Sequence, residues 1–169
     1  MNNPVAMITD PLRTTSIRPP FSTILIAGLL AGTLDGIGAM ILAYFRNGVK
    51  PEVVFKYIAS GYFGPEAFKG GTAMVMYGIL FHYIIATGWA LLLYVVYPYV
   101  IQSLQNKIII GIIYGIVIWF GMNLIVVPAS NVPAAKEFNL IQAVINAAIL
   151  VVAVGLPITY VTAWRRSPK

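Results

Sequence analysis

The stretch Ser22 to Phe45, STILIAGLLAGTLDGIGAMILAYF, carries one charged residue, Asp35. A run of about 20 apolar residues is what a helix needs to cross the hydrocarbon of a bilayer. A carboxylate within such a run costs roughly 3 kcal/mol on insertion scales, so it marks a functional site by default. The segment therefore reads as a membrane span built around a chemically meaningful acid.

The remaining charges are spaced the same way. No Asp, Glu, Lys or Arg lies between Lys69 and Lys107, between Lys107 and Lys136, or between Glu137 and Arg165. Four windows long enough to cross a bilayer result, with spans expected near 22–45, 71–97, 108–127 and 138–164. The chain is 59% hydrophobic and 9% charged, with a mean hydropathy of +0.84, well outside the range of a soluble domain. The fold class is all-α membrane protein, with four transmembrane helices and a short interfacial helix in the first loop. A polar N-terminal segment, 1–21, is expected to precede the transmembrane domain, 22–164, and a basic tail, 165–169, to follow it.

The net charge of +6 belongs to span ends, where Lys and Arg anchor helices to headgroups. Without a compact basic run interleaved with aromatics, no nucleic-acid partner is expected; the expected environment is the lipid bilayer. With no cysteine, disulfides, thiolate metal sites and cysteine nucleophiles are excluded. The first apolar run is too long, and begins too far into the chain, for a secretory signal peptide. An even number of spans places both termini on one side. That side collects Arg13, Arg18, Lys107, Arg165, Arg166 and Lys169, against Arg46, Lys50, Lys56, Lys69 and Lys136 opposite. The balance, with Arg165 and Arg166 abutting the last span, points to cytoplasmic termini.

Residues four apart form a ridge on a helix. On the first span Asp35 lies on the ridge Ala27, Ala31, Asp35, Ala39, Ala43, beside a second ridge of Gly28, Gly32 and Gly36. Small residues at this spacing let helices approach closely, which turns Asp35 toward other helices. The second span places the only histidine, His82, between Gly78 and Ala86. Counted from the first loop, Asp35 and His82 each lie roughly 15 Å deep, so an antiparallel pair brings them level and into contact, directly or through water. Asn123 on the third span, with Gln142 and Asn146 on the fourth, add polar groups toward the same end. Together Asp35, His82, Asn123, Gln142 and Asn146 form the candidate ion, proton or solute site. An Asp and His pair suits proton handling because histidine titrates near neutrality; the competing role is a hydrogen-bonded lock between helices.

In the first loop, Pro51 and Glu52 open a short helix expected to run through Ile58 and to break at Ser60 and Gly61. Tyr57, Tyr62, Phe63 and Phe68 suit the headgroup layer, and the helix either anchors there or lids the cleft. Pro98, Pro128 and Pro157 mark span ends or a kink. Glycines inside an apolar helix are not a nucleotide fingerprint. A single intramembrane Asp does not make an aspartyl protease, and one His without Cys makes neither a zinc set nor a bis-histidine haem site. No cofactor or metal is expected. The glycine ridges permit a homo-oligomer or a partner in a membrane complex.

The chain resembles a group of small four-span bacterial integral membrane proteins that carry no assigned activity. The resemblance rests on Ala31-Gly32-Thr33-Leu34-Asp35, on Ile58-Ala59-Ser60-Gly61 with Gly64, on Ala67-Phe68 with Gly70-Gly71, on His82, and on Met122-Asn123 with Val126-Val127-Pro128. It implies a bacterial inner-membrane protein and supplies no substrate. Three functions remain, in order: a small ion- or solute-handling protein, proton-linked through Asp35 and His82; a noncatalytic structural or assembly subunit; and a lipid-directed membrane enzyme using the pair as acid and base.

Overall fold

Helix is the only conformation in which a single segment satisfies its own backbone in lipid, and each charge-poor window forms one. The computed structural model describes residues 20–133 and 139–166. Within them are five helices: α1 (Pro20–Asn47), α2 (Pro51–Phe63), α3 (Thr72–Leu104), α4 (Lys107–Val126) and α5 (Leu140–Arg166). All but α2 are long and apolar enough to cross a membrane, so the chain is a multi-pass membrane protein with a short helix in its first loop. The expected N-terminal segment and basic tail lie outside the described residues except at Pro20, Phe21, Arg165 and Arg166.

Helix ends follow local chemistry. The Asn106 side chain accepts from the N–H groups of Ile108 and Ile109 at 2.9 and 3.3 Å, and Asn139 accepts from Gln142 N–H at 3.0 Å; both cap first turns. Pro51 opens α2 with Glu52 in its first turn, as the sequence predicts. The helix then passes the expected break at Ser60 and Gly61, reaching Phe63 and a 3₁₀ turn over Gly64–Phe68. Packing overrides propensity here. Ala59 and Ser60 are fully buried, and the third loop binds the last carbonyls, with Asn131 N–H donating to Gly61 O at 2.9 Å and Asn131 Nδ2 to Tyr62 O at 3.1 Å.

The expected end of the second span at Tyr97 is also corrected, because α3 runs through Pro98 to Leu104. Proline has no N–H for the carbonyl four residues back, here that of Tyr94. Arg166 replaces it: its Nη2 donates to Tyr94 O at 2.7 Å and its guanidinium lies 4.0 Å from the Tyr94 ring centre. Arg165 donates to Ser22 Oγ at 3.1 Å. The end of α5 is thereby tied to both α1 and α3.

Two close seams organise the bundle. Along α1 and α3, a Cβ at Gly28 would fall 2.7 Å from the Thr87 Cα, and one at Gly32 would fall 2.9 Å from the Tyr83 ring. Along α4 and α5, a Cβ at Gly115 would meet Val151 Cα at 2.5 Å and one at Gly155 would meet Gly115 Cα at 2.9 Å. Such backbone proximity gives the van der Waals contact that drives helix association in lipid. The core formed by Ala27, Ala90, Leu93, Ile110, Ile118 and Ile158 sits toward the end where α1 begins and α5 finishes. Toward the first and third loops the helices part.

Candidate functional site

Where the helices part, a cavity of about 320 Å³ reaches between α1, α3, α4 and α5. Asp35 and Ala39 line it from α1, His82 and Trp89 from α3, Asn123 from α4 and Asn146 from α5. Val54, Tyr57 and Ile58, spaced as one face of α2, complete its wall. Among the described residues Asp35 is its only acid, and neither Lys nor Arg contributes to the lining.

The helix α2 reaches this position because Gly78 admits it. A Cβ at Gly78 would fall 2.6 Å from the Phe55 carbonyl carbon. Phe55 also meets the His82 ring edge-on at 6.3 Å, while Phe63 packs against Tyr77 and Phe81 at 5.1 and 6.2 Å. Eight residues of α2, roughly 12 Å of rise, thus touch about one and a half turns of α3, so α2 lies across α3 rather than along it.

His82 is held by α1. Its Nε2 lies 2.7 Å from the Gly32 carbonyl oxygen. A carbonyl only accepts, so Nε2 carries the proton and Nδ1 is the basic nitrogen of the neutral ring. The glycine groove makes room, since a Cβ at Gly36 would stand 3.3 Å from Nε2. One turn away, Thr33 Oγ1 donates to Leu29 O at 2.8 Å and accepts from the Tyr83 hydroxyl at 2.9 Å.

Asp35 differs. Among the described residues no hydrogen bond or ion pair engages its carboxylate, and it is half-buried. Asp35 and His82 share a wall, as the depth count predicts, yet no direct hydrogen bond joins them; the histidine proton goes to Gly32 instead. Asn146 likewise stands on the wall without a hydrogen-bond partner among the described residues. Asn123 donates from Nδ2 to its own helix, at Trp119 O, 2.8 Å away. Gln142 does not line the cavity. It is exposed in the first turn of α5, one turn nearer the helix end than Asn146.

Sequence reasoning misses four features of the wall. Trp89 lies seven residues after His82 and Trp119 four before Asn123, spacings that share a helix face and could have placed both. Trp89 is fixed by the Tyr114 hydroxyl, which donates to its carbonyl at 2.5 Å, and by Gly121, where a Cβ would come 2.5 Å from the indole. The other two features are π turns, Met122–Val126 and Val151–Gly155, which supply Met122, Asn123 and Val154 to the lining. Such turns recur at functional sites, and nothing in the residue pattern announces them. Tyr57, outside the spans, has its phenol raised above the ordinary tyrosine value by burial.

Comparison with protein-family models, with curated proteins and with solved structures finds no match to the chain.

Proposed function

We propose that this membrane protein handles a small ion or solute, linked to proton exchange, at the cavity beside Asp35. One observation carries the reading: the only acid within the four spans faces a cavity beside His82 with no hydrogen bond or ion pair to its carboxylate among the described residues, while His82, Thr33 and Asn123 are committed to backbone or interhelical hydrogen bonds. A residue serving only as a lock would be bonded as His82 is. An unpaired acid at membrane depth is costly and is retained where a proton or cation must come and go. In this reading Asp35 exchanges the ion, the His82 Nδ1 serves as the neighbouring base, and Asn123 and Asn146 line the approach. Gln142 lies at the rim. The resemblance drawn from the sequence supports a bacterial inner membrane, and the charge distribution supports cytoplasmic termini.

The test uses vesicles containing the purified protein, an entrapped pH-sensitive dye and an imposed potassium diffusion potential. Proton entry above that of protein-free vesicles is expected for the native chain, falling to background in Asp35→Asn. Asn146→Cys, placed in both proteins, should react equally with a membrane-impermeant thiol reagent, showing that the bundle is intact. Equal proton entry in the native and Asp35→Asn proteins would overturn the reading.

A further inference from the structure

A second cavity of about 300 Å³ abuts the first, sharing Tyr57, Ile58, Ile85 and Met122 with it. The two differ in chemistry. The second is lined by Tyr62, Phe81, Ile84, Val126 and Val127, and no charged side chain among the described residues contributes to it. Its far wall is the third loop, where Ser130 and Val132 face Gly61 of α2.

From this juxtaposition we infer that the site takes an amphiphilic monocation, its charged head at Asp35 and its apolar body in the second cavity. The inference rests on the functional reading above and names the class of solute. Charge complementarity selects the sign, because among the described residues the lining of both compartments contains one carboxylate and no Lys or Arg. Trp89 and Trp119 line the same cavity as Asp35, and such indoles favour a soft organic cation. A hydrated metal ion gains nothing from them, and among the described residues the wall offers no cluster of oxygen ligands of the kind that Mg²⁺ or Ca²⁺ requires. The adjoining space adds selection by shape: a cation without an apolar body leaves it unused, and an amphiphile of opposite sign brings a second negative charge to Asp35.

Both tryptophans on the wall report occupancy directly. In a Trp164→Phe background the only remaining indoles are Trp89 and Trp119, and N-hexylpyridinium, a cationic quencher with an apolar tail, is the probe. Saturable quenching is expected, reversed by hexyltrimethylammonium and not by hexanesulfonate. Asp35→Asn should weaken it about tenfold or more. Gly61→Leu places a side chain in the apolar compartment; it should weaken N-hexylpyridinium by about tenfold while leaving N-methylpyridinium within about twofold. Equal affinity of the native and Asp35→Asn proteins for the probe, or equal affinity for the hexyl and methyl probes, would overturn the inference. If probe binding fails these tests while proton entry still depends on Asp35, the ligand class falls and the parent reading stands. Loss of the Asp35 dependence in the vesicle assay removes both.

Discussion

Gly78→Ala is the sharpest single test of how the cavity is walled. The added Cβ would lie 2.6 Å from the Phe55 carbonyl carbon and 2.9 Å from its Cα, where ordinary contact is 3.4–4 Å. The obstacle is backbone, so no rotamer change relieves it, and α2 must retreat by about 1 Å. A gap of that size forfeits a quarter to a half of the dispersion energy of each contact it opens, and overpacking of this kind costs about 1–3 kcal/mol. Alanine returns up to about 1 kcal/mol in helix propensity, so with the full return the net loss is about 0–2 kcal/mol, while the deficit against a glycine replaced without a clash stays about 1–3 kcal/mol. Gly88→Ala is the control: it lies in the same helix, and nothing stands within 4 Å of its Cβ position, so only the propensity gain applies. Unfolding of reconstituted protein by SDS, followed by tryptophan fluorescence, measures both. Ile85→Cys, on the wall that α2 covers, should react faster with a thiol reagent in Gly78→Ala than in Gly88→Ala. Equal stability and equal reactivity of the two variants would refute the seating of α2 on α3.

Two further outcomes follow from named hydrogen bonds. As the only histidine in the chain, His82 gives one ring signal in nitrogen NMR, and the neutral ring should show a protonated Nε2 and an unprotonated Nδ1; the opposite tautomer would contradict the bond to Gly32. Arg166→Ala should cost about 1–3 kcal/mol through the charged hydrogen bond to Tyr94, and less in a Pro98→Ala background, where the backbone N–H restored at that position can bond the same carbonyl; a double-mutant cycle with no coupling would show that Arg166 does not stand in for the missing donor.

What could be read from the residues alone follows physical lines. Spans declare themselves because a charge in lipid is expensive, so Lys69, Lys107 and Lys136 bracket helices whatever the packing. The α1 and α3 seam is equally legible, since glycines four apart at Gly28, Gly32 and Gly36 have no other evident use in an apolar helix. That seam, with the depth count, puts Asp35 and His82 on one wall. The partner of the His82 proton is not legible, because a backbone carbonyl leaves no trace in the side-chain pattern. Nor is the continuation of α3 past Pro98, which depends on Arg166 some seventy residues later. Gln142 and Asn146 share a helix side in projection, but the cavity ends between their levels. The α4 and α5 seam at Gly111, Gly115 and Gly155 uses the same glycine signal as the first; spacing within one helix does not say which partner it meets.

The two ends of the bundle solve opposite problems. Where α1 begins and α5 finishes, alanines, glycines and the Arg165 and Arg166 ties draw the helices together. Toward the first and third loops the same helices diverge around Asp35, and the π turns of α4 and α5 fall at the cavity wall. A splayed end in lipid would fill with acyl chains unless something stood across it. The short helix α2 does so, with Val54, Tyr57 and Ile58 turned inward and Asn131 of the third loop bound to its final carbonyls. Backbone contact at Gly78 and hydrogen bonds at its far end fix α2 in that position. In the function proposed above, that wall would hold lipid off an acid at membrane depth, the condition that a site for exchanging a proton or binding a cation requires.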